Sequence, residues 1–338
     1  MSRVNVGIEA LGTYIPQERH TAKYISEESG IPEKVLIEKF GLKSKSIPGP
    51  HDHTVQMGVN AASKAIVKAA INPETDIDLI IWAGEVHAEH PMQTYAIKVQ
   101  KELNIKNAWA FDINQRCGTF IVGMMIAKSL MTTSNYKRAL IVSGYRNSDL
   151  IDYKNPRSRF MYALAASGSA ILMRADYDKN LIFEAEIITD GRFADDVYVP
   201  AGGTVIPTTE DTLKKGLQFL DVSDPEGLKK RLDEASMKNF LRVVDNSLQK
   251  SGFSRSDLDY LALLHMKRSA FEFVAKELGV DPYKQATYFD DLGHMGQNDS
   301  IISLQMGLES GKIKKGDIVV LTAAGIGWAW NAITIKWG

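Results

Sequence analysis

The order strand, helix, strand, helix, strand runs through this sequence twice. In the first pass DIDLIIWAGE opens, and a helix, a strand and a second helix lead into YKRALIVSGY. In the second pass DLDYLALLHM opens, QATYFD supplies the middle strand, and KKGDIVVLTAAG closes. The matched outer strands lie about sixty residues apart in both passes, the mark of an internal duplication. We read two copies of a βαβαβ unit, residues 1–178 and 179–338.

Further strands are expected at VNVGIEAL, AWAFDI, SAILMRA and NAITIKW. Several of the strands are apolar throughout, as strands buried on both faces are. Apolar residues spaced by three and four mark helices at TVQMGVNAASKAIVKAA, QTYAIKVQKEL, GTFIVGMMIAKSLM, MKNFLRVVDNSLQKSG, SAFEFVAKEL and DSIISLQMGLESG. The 338 residues are 44% apolar, enough for a sizeable core. Lys plus Arg number 40 against 41 Asp plus Glu, so bulk charge draws the chain to neither nucleic acid nor an acidic membrane. The single cysteine rules out an intrachain disulfide. The opening MSRVNVGIEALGTYIP reads as a strand rather than a signal peptide. No stretch approaches the roughly 20 apolar residues of a membrane span. The expected compartment is the cytoplasm.

Four places carry chemistry. Cys117 lies in AFDINQRCGTFIVGMM, where a strand ends near Ile113 and an apolar helix starts just after the cysteine. A helix N-terminus stabilises a thiolate, and its free N–H groups can hold an oxyanion. His265 follows the strand YLALL and precedes a helix, the strand end at which α/β proteins place their sites. His294 lies in YFDDLGHMGQNDSII, again between strand and helix, with Asn298 and Asp299 as expected caps. Gly325 and Gly327 follow the strand DIVVLTAA, where glycine lets backbone approach a substrate. This GxG is no dinucleotide fingerprint, because a strand follows it instead of a helix. The pair His51 and His53 could bind a metal but reads better as a solvated loop, and no cofactor or metal is expected.

Taken together, these residues resemble the ketoacyl-acyl-carrier-protein synthase III group of the thiolase superfamily and its relatives the hydroxymethylglutaryl-CoA synthases. The resemblance runs over nearly the whole chain: the GTYIP turn, RCGTF, LLH, FDDLGHMGQND and the closing ESGKIKKGDIVVLTAAGIGWAW. It implies an α/β, thiolase-like five-layered αβαβα fold from two duplicated halves, packed as a homodimer. It implies that Cys117 takes an acyl group from an acyl-CoA, that His265 assists decarboxylation or proton transfer, and that the N–H groups of Cys117 and Gly327 form an oxyanion hole. Arg159 falls near the family arginine that touches the CoA adenine. Malonyl on acyl carrier protein, or on CoA, would supply the carbanion.

The chain departs from the family pattern in several places. His294 stands where the group has asparagine, and AASGSA replaces a loop that carries an aspartate. Glu85 falls close to the acid/base glutamate of the hydroxymethylglutaryl synthases, which keeps a non-decarboxylating condensation as the alternative. A non-catalytic partner subunit is a third reading. His90 replaces a family aromatic in a segment that reaches across the dimer. Glu85, His87, Glu89 and His90 cluster in EVHAEHP, and if two of them face the pocket a short or polar-ended acyl group is expected.

Overall fold

The computed structural model describes residues 4–281 and 290–338. Nine strands form the main sheet: β1 (Val6–Tyr14), β2 (Leu79–Ala83), β3 (Trp109–Ile113), β4 (Arg138–Tyr145), β5 (Ser167–Ala175), β6 (Leu181–Thr189), β7 (Leu258–Leu263), β8 (Ile318–Gly325) and β9 (Ala329–Lys336). Their order is β7-β8-β9-β6-β1-β5-β4-β2-β3. Within the sheet the two halves join where β1 pairs with β6, antiparallel, at Gly7–Leu181.

The duplication is visible in the pairing. In the first half β1 runs antiparallel to β5, β5 antiparallel to β4, and β4 parallel to β2. In the second half β6 runs antiparallel to β9, β9 antiparallel to β8, and β8 parallel to β7. The next strand of the second half would be QATYFD, which falls, but for Asp290, outside the described residues.

Six helices complete the layers: α1 (Thr54–Ala69), α2 (Tyr95–Glu102), α3 (Thr119–Thr133), α4 (Pro225–Lys250), α5 (Arg268–Glu277) and α6 (Asp299–Glu309). Helix α1 lies on β1, β5 and β4, with α2 beside it over β2 and β3. Helix α4 covers β9, β6 and β8, and α5 packs against α4. Between the two halves of the sheet, α3 touches β2 and β4 on one side and β6, β8 and β9 on the other, while α6 touches β1, β5, β7 and β8. The layering is therefore αβαβα, as expected. One apolar cluster runs through it, from Ile81 and Ile141 by way of Phe120, Met124 and Leu304 to Val320 and Ile333.

Close contact between layers needs glycine. A Cβ on Gly144 of β4 would fall 1.8 Å from the Thr54 carbonyl oxygen, so α1 can lie flush on the sheet only because that atom is missing.

Two elements differ from the sequence expectation. Strand β6, LIFEAEIIT, was not expected, because charged residues interrupt its apolar run. The structure resolves them with partners: Glu184 pairs with Lys128 of α3, and Glu186 pairs with Lys250 of α4. Helix α4 begins twelve residues before the expected start at Met237, at Pro225. Its added turns, PEGLKKRLDEAS, are highly charged, and the Asp224 side chain caps them by accepting from the Gly227 N–H.

Candidate active site

The strand–turn–helix element that ends in Cys117 folds as its sequence requires. After β3, Asn114 Oδ1 accepts from the Arg116 N–H at 3.0 Å, and Arg116 adopts the left-handed region at φ 52°. Thr119 Oγ1 accepts from the Gln115 N–H at 2.7 Å and donates to the Arg116 carbonyl at 2.5 Å. This turn delivers Cys117, 6% exposed, to the start of the central helix α3.

The equivalent element of the second half delivers His294. Its backbone is pinned from both sides: the His294 N–H donates to the Ala163 carbonyl at 2.7 Å, and its own carbonyl accepts from the Ala165 N–H at 2.8 Å. The Nε2 atom lies 3.4 Å from Cys117 Sγ, and Nδ1 lies 2.5 Å from Asp299 Oδ2. His265, just beyond β7, is near: the two imidazole centroids are 6.4 Å apart, and the His265 N–H donates to Asp299 Oδ2 at 2.8 Å.

The two histidines are driven to opposite charge states. Burial lowers His265 to about 4, so its ring is uncharged at neutral pH. Burial also acts to lower His294, but the Asp299 carboxylate and the Cys117 sulfur outweigh it and hold that imidazole well above its ordinary value. A pair of groups pushed apart in this way is what acid–base chemistry requires.

Cys117, His265 and His294 share the wall of a cavity of about 550 Å³. Its other lining is largely apolar, with Phe160, Met161, Leu264 and Trp328 among it. Helix α4 contributes Leu232, Met237 and Phe240, of which Leu232 comes from the unexpected charged turns. Arg159 lies on this cavity, together with the exposed Lys39 and Lys267. Such a site can hold an acyl thioester with its carbonyl carbon at the sulfur and a phosphate-bearing carrier outside.

The closing loop places Ile326 and Trp328 on the cavity, and Gly327 is not among its lining residues. The glycine packed against the nucleophile turn is Gly325, where a Cβ would lie 3.0 Å from the Cys117 nitrogen and 2.6 Å from the Gln115 carbonyl oxygen.

Glu85 is also absent from the lining. It is 4% exposed, and its carboxylate accepts from Arg116 Nη1 at 3.1 Å. Its polar neighbours are committed elsewhere. Glu89 caps α1 by accepting from the Val55 and Gln56 N–H groups, His87 lies 3.8 Å from Asp149, and His90 is exposed. None of the four lines the cavity of its own chain. Among the described residues no cluster of His, Cys, Asp or Glu is arranged to hold a metal ion, and no helix is long and apolar enough to cross a membrane.

Asp299, a helix cap by its local sequence, is a further functional candidate. The signal available was its place five residues after His294, across one tight turn.

Comparison with known proteins agrees with this geometry. The family profile of 3-oxoacyl-[acyl-carrier-protein] synthase III matches residues 111–191, and the profile of that enzyme's C-terminal part matches residues 248–337. A beta-ketoacyl-[acyl-carrier-protein] synthase III of Symbiobacterium thermophilum is 27% identical over 336 residues, 98% of each chain. The crystal structure of the 3-oxoacyl-[acyl-carrier-protein] synthase III of Aquifex aeolicus superposes with a TM-score of 0.84 at 20% identity, covering 98% of this chain and 100% of that one. The OleA protein of Xanthomonas campestris, solved with bound lauric acid and lauroyl-CoA, superposes with a TM-score of 0.82 at 21% identity, covering 98% and 99%. With the duplicated five-layer fold and the cysteine and two histidines in one cavity, the chain belongs to the 3-oxoacyl-[acyl-carrier-protein] synthase III family of the thiolase superfamily.

Proposed function

We propose that this enzyme joins an acyl group from an acyl-CoA to malonyl carried on acyl carrier protein, or on CoA, in a decarboxylating Claisen condensation. The observation that carries the reading is Cys117 on an apolar cavity between one neutral and one charged imidazole. Sγ attacks the thioester carbonyl, and CoA leaves with a proton. The malonyl group then loses carbon dioxide, and the enolate oxygen is met by N–H donors from His265 and His294. The carbanion attacks the acyl-Cys carbonyl, the Sγ–C bond breaks, and a 3-oxoacyl thioester leaves. Backbone N–H groups of Cys117 and of the closing loop hold the oxyanion of each tetrahedral intermediate. Lys39, Arg159 and Lys267 face the phosphates of the carrier. The apolar lining suits an alkyl acyl chain, in keeping with the lauroyl-CoA bound by the OleA neighbour.

Incubation with a panel of alkyl acyl-CoAs and malonyl-acyl carrier protein should give one carbon dioxide per 3-oxoacyl product. A product formed without carbon dioxide would overturn this reading in favour of the non-decarboxylating alternative, in which Glu85 would act.

We also propose a homodimer in the cytoplasm. Strand β3 is an edge of the sheet, and Trp109 on it is half-exposed beside Phe111 and Tyr136. Next to it, α2 exposes Ile97, and the preceding loop exposes Val86 and Met92. An edge strand with apolar side chains around it is suited to pairing with a second copy. Sedimentation should give twice the chain mass at micromolar concentration, and a monomer would contradict the proposal.

A further inference from the structure

One buried carboxylate touches three parts of the site. Asp299 is fully buried at the first position of α6. Its Oδ1 accepts from the Met295 N–H at 2.8 Å, and its Oδ2 accepts from the His265 N–H and faces His294 Nδ1. An ionised carboxylate only accepts, so Nδ1 of His294 carries hydrogen. That fixes the ring: Nε2, on the Cys117 side, is the nitrogen that gains and loses the exchangeable proton.

We propose that Asp299 is a positioning residue that makes His294 the acid–base partner of Cys117 during acyl loading. The inference rests on Cys117 being the acyl acceptor. In that step the bond from Sγ to the acyl carbon forms and the bond from the acyl carbon to the CoA sulfur breaks. In the charged ring Nε2 already holds the proton that Sγ has given up, and that proton passes from Nε2 to the departing CoA sulfur. An asparagine at position 294 can donate a hydrogen bond to a carbonyl but cannot carry that proton. His265 is the poorer proton carrier, because burial disfavours its charged form and lowers it to about 4. Loading therefore falls to His294, and His265 is left as a neutral donor for the condensation.

The titratable groups around the His294 ring come from four elements: Asp299 of α6, Cys117 before α3, His265 after β7 and Tyr145 of β4, whose ring centroid is 6.3 Å away. Lys45 lies behind the turn, with Nζ on the Leu164 carbonyl. Only Asp299 contacts Nδ1 in the contacts described.

The test uses the full chain with Asp299→Asn, His294→Asn and the double variant. Two rates are followed from pH 6 to 10: alkylation of Cys117 by iodoacetamide, and CoA release during loading. With an amide NH₂ turned to Nδ1, the ring proton moves to Nε2 and the thiol loses its acceptor. Both rates should fall about 10-fold near neutral pH, a modest loss for general-base removal because a thiol ionises readily. The deficit should close above about pH 9, where solvent takes the thiol proton unaided. The double variant should be no slower than His294→Asn alone. A parent-like rate for Asp299→Asn, a deficit that is constant across pH, or additive losses would overturn the proposal. If Asp299→Asn does not fold, His294→Asn keeps the backbone bonds of Asp299 and must itself show the neutral deficit and the alkaline recovery. Failure of condensation with loading intact would count against the Claisen reading and leave this one standing. Pronounced alkylation kinetics without any acyl loading would instead remove the acyl-acceptor premise.

Discussion

Cys117→Ser should carry no acyl adduct after exposure to acyl-CoA, and its condensation rate should fall about 10⁴-fold or more, the scale on which a nucleophile is missed. The sulfur is the only thiol in the chain and lies on the cavity beside His294. A covalent acyl-enzyme splits one difficult transfer into two easier ones, and a serine hydroxyl at the same place is a far weaker nucleophile. The exchange replaces one small buried atom, so the melting temperature should stay close to that of the parent. Intact mass spectrometry and a condensation assay on the same sample check both halves. An undiminished rate would end the nucleophile assignment.

His294→Ala should lose about 10²–10³ in turnover, the usual cost of one oxyanion donor. His294→Asn should keep part of this, since an amide still donates to the thioester carbonyl. The pH dependence separates the two roles of the ring. A histidine of ordinary pKa would change the rate between about pH 5 and 8, which is what the sequence alone suggests. In the structure Asp299 and Cys117 hold His294 well above that range. Its charged form therefore persists through neutral pH and is lost only as the pH rises further. The parent should show a falling alkaline limb in turnover that is absent from His294→Asn. Parent-like turnover in His294→Ala would make His294 a turn residue.

The order of strands and helices was legible because buried parallel strands are apolar end to end and amphipathic helices repeat every three to four residues. Strand β6 escaped because its stability depends on partners distant in sequence: Lys128 and Lys250 come from two different helices. The first half of α4 escaped for a related reason. Its charged turns carry little apolar periodicity, and only the cavity shows what Leu232 is for. Cys117, His265 and His294 were each readable as a residue at a strand-to-helix turn, and the fold brings the three together. Asp299 was readable only as a cap, since nothing in local sequence says that a carboxylate five residues on will turn back to the ring. The polar run EVHAEHP stands apart from its own chain's cavity. Within the chain Glu89 bonds to the start of α1 and His87 faces Asp149, contacts that come from elements distant in sequence.

The two central helices also bear on how the molecule comes apart. Helices α3 and α6 bury their apolar faces against both sheets at once, so neither half has a finished interior without the other. Melting of the second half would leave Phe120 and Met124 facing water, and melting of the first would leave Leu304 so, at a cost of roughly 1.5–3 kcal/mol for each large side chain exposed. Loss of structure is therefore a single cooperative event. The nucleophile begins one of these helices and the carboxylate begins the other, so the catalytic groups disassemble together with the core rather than before it.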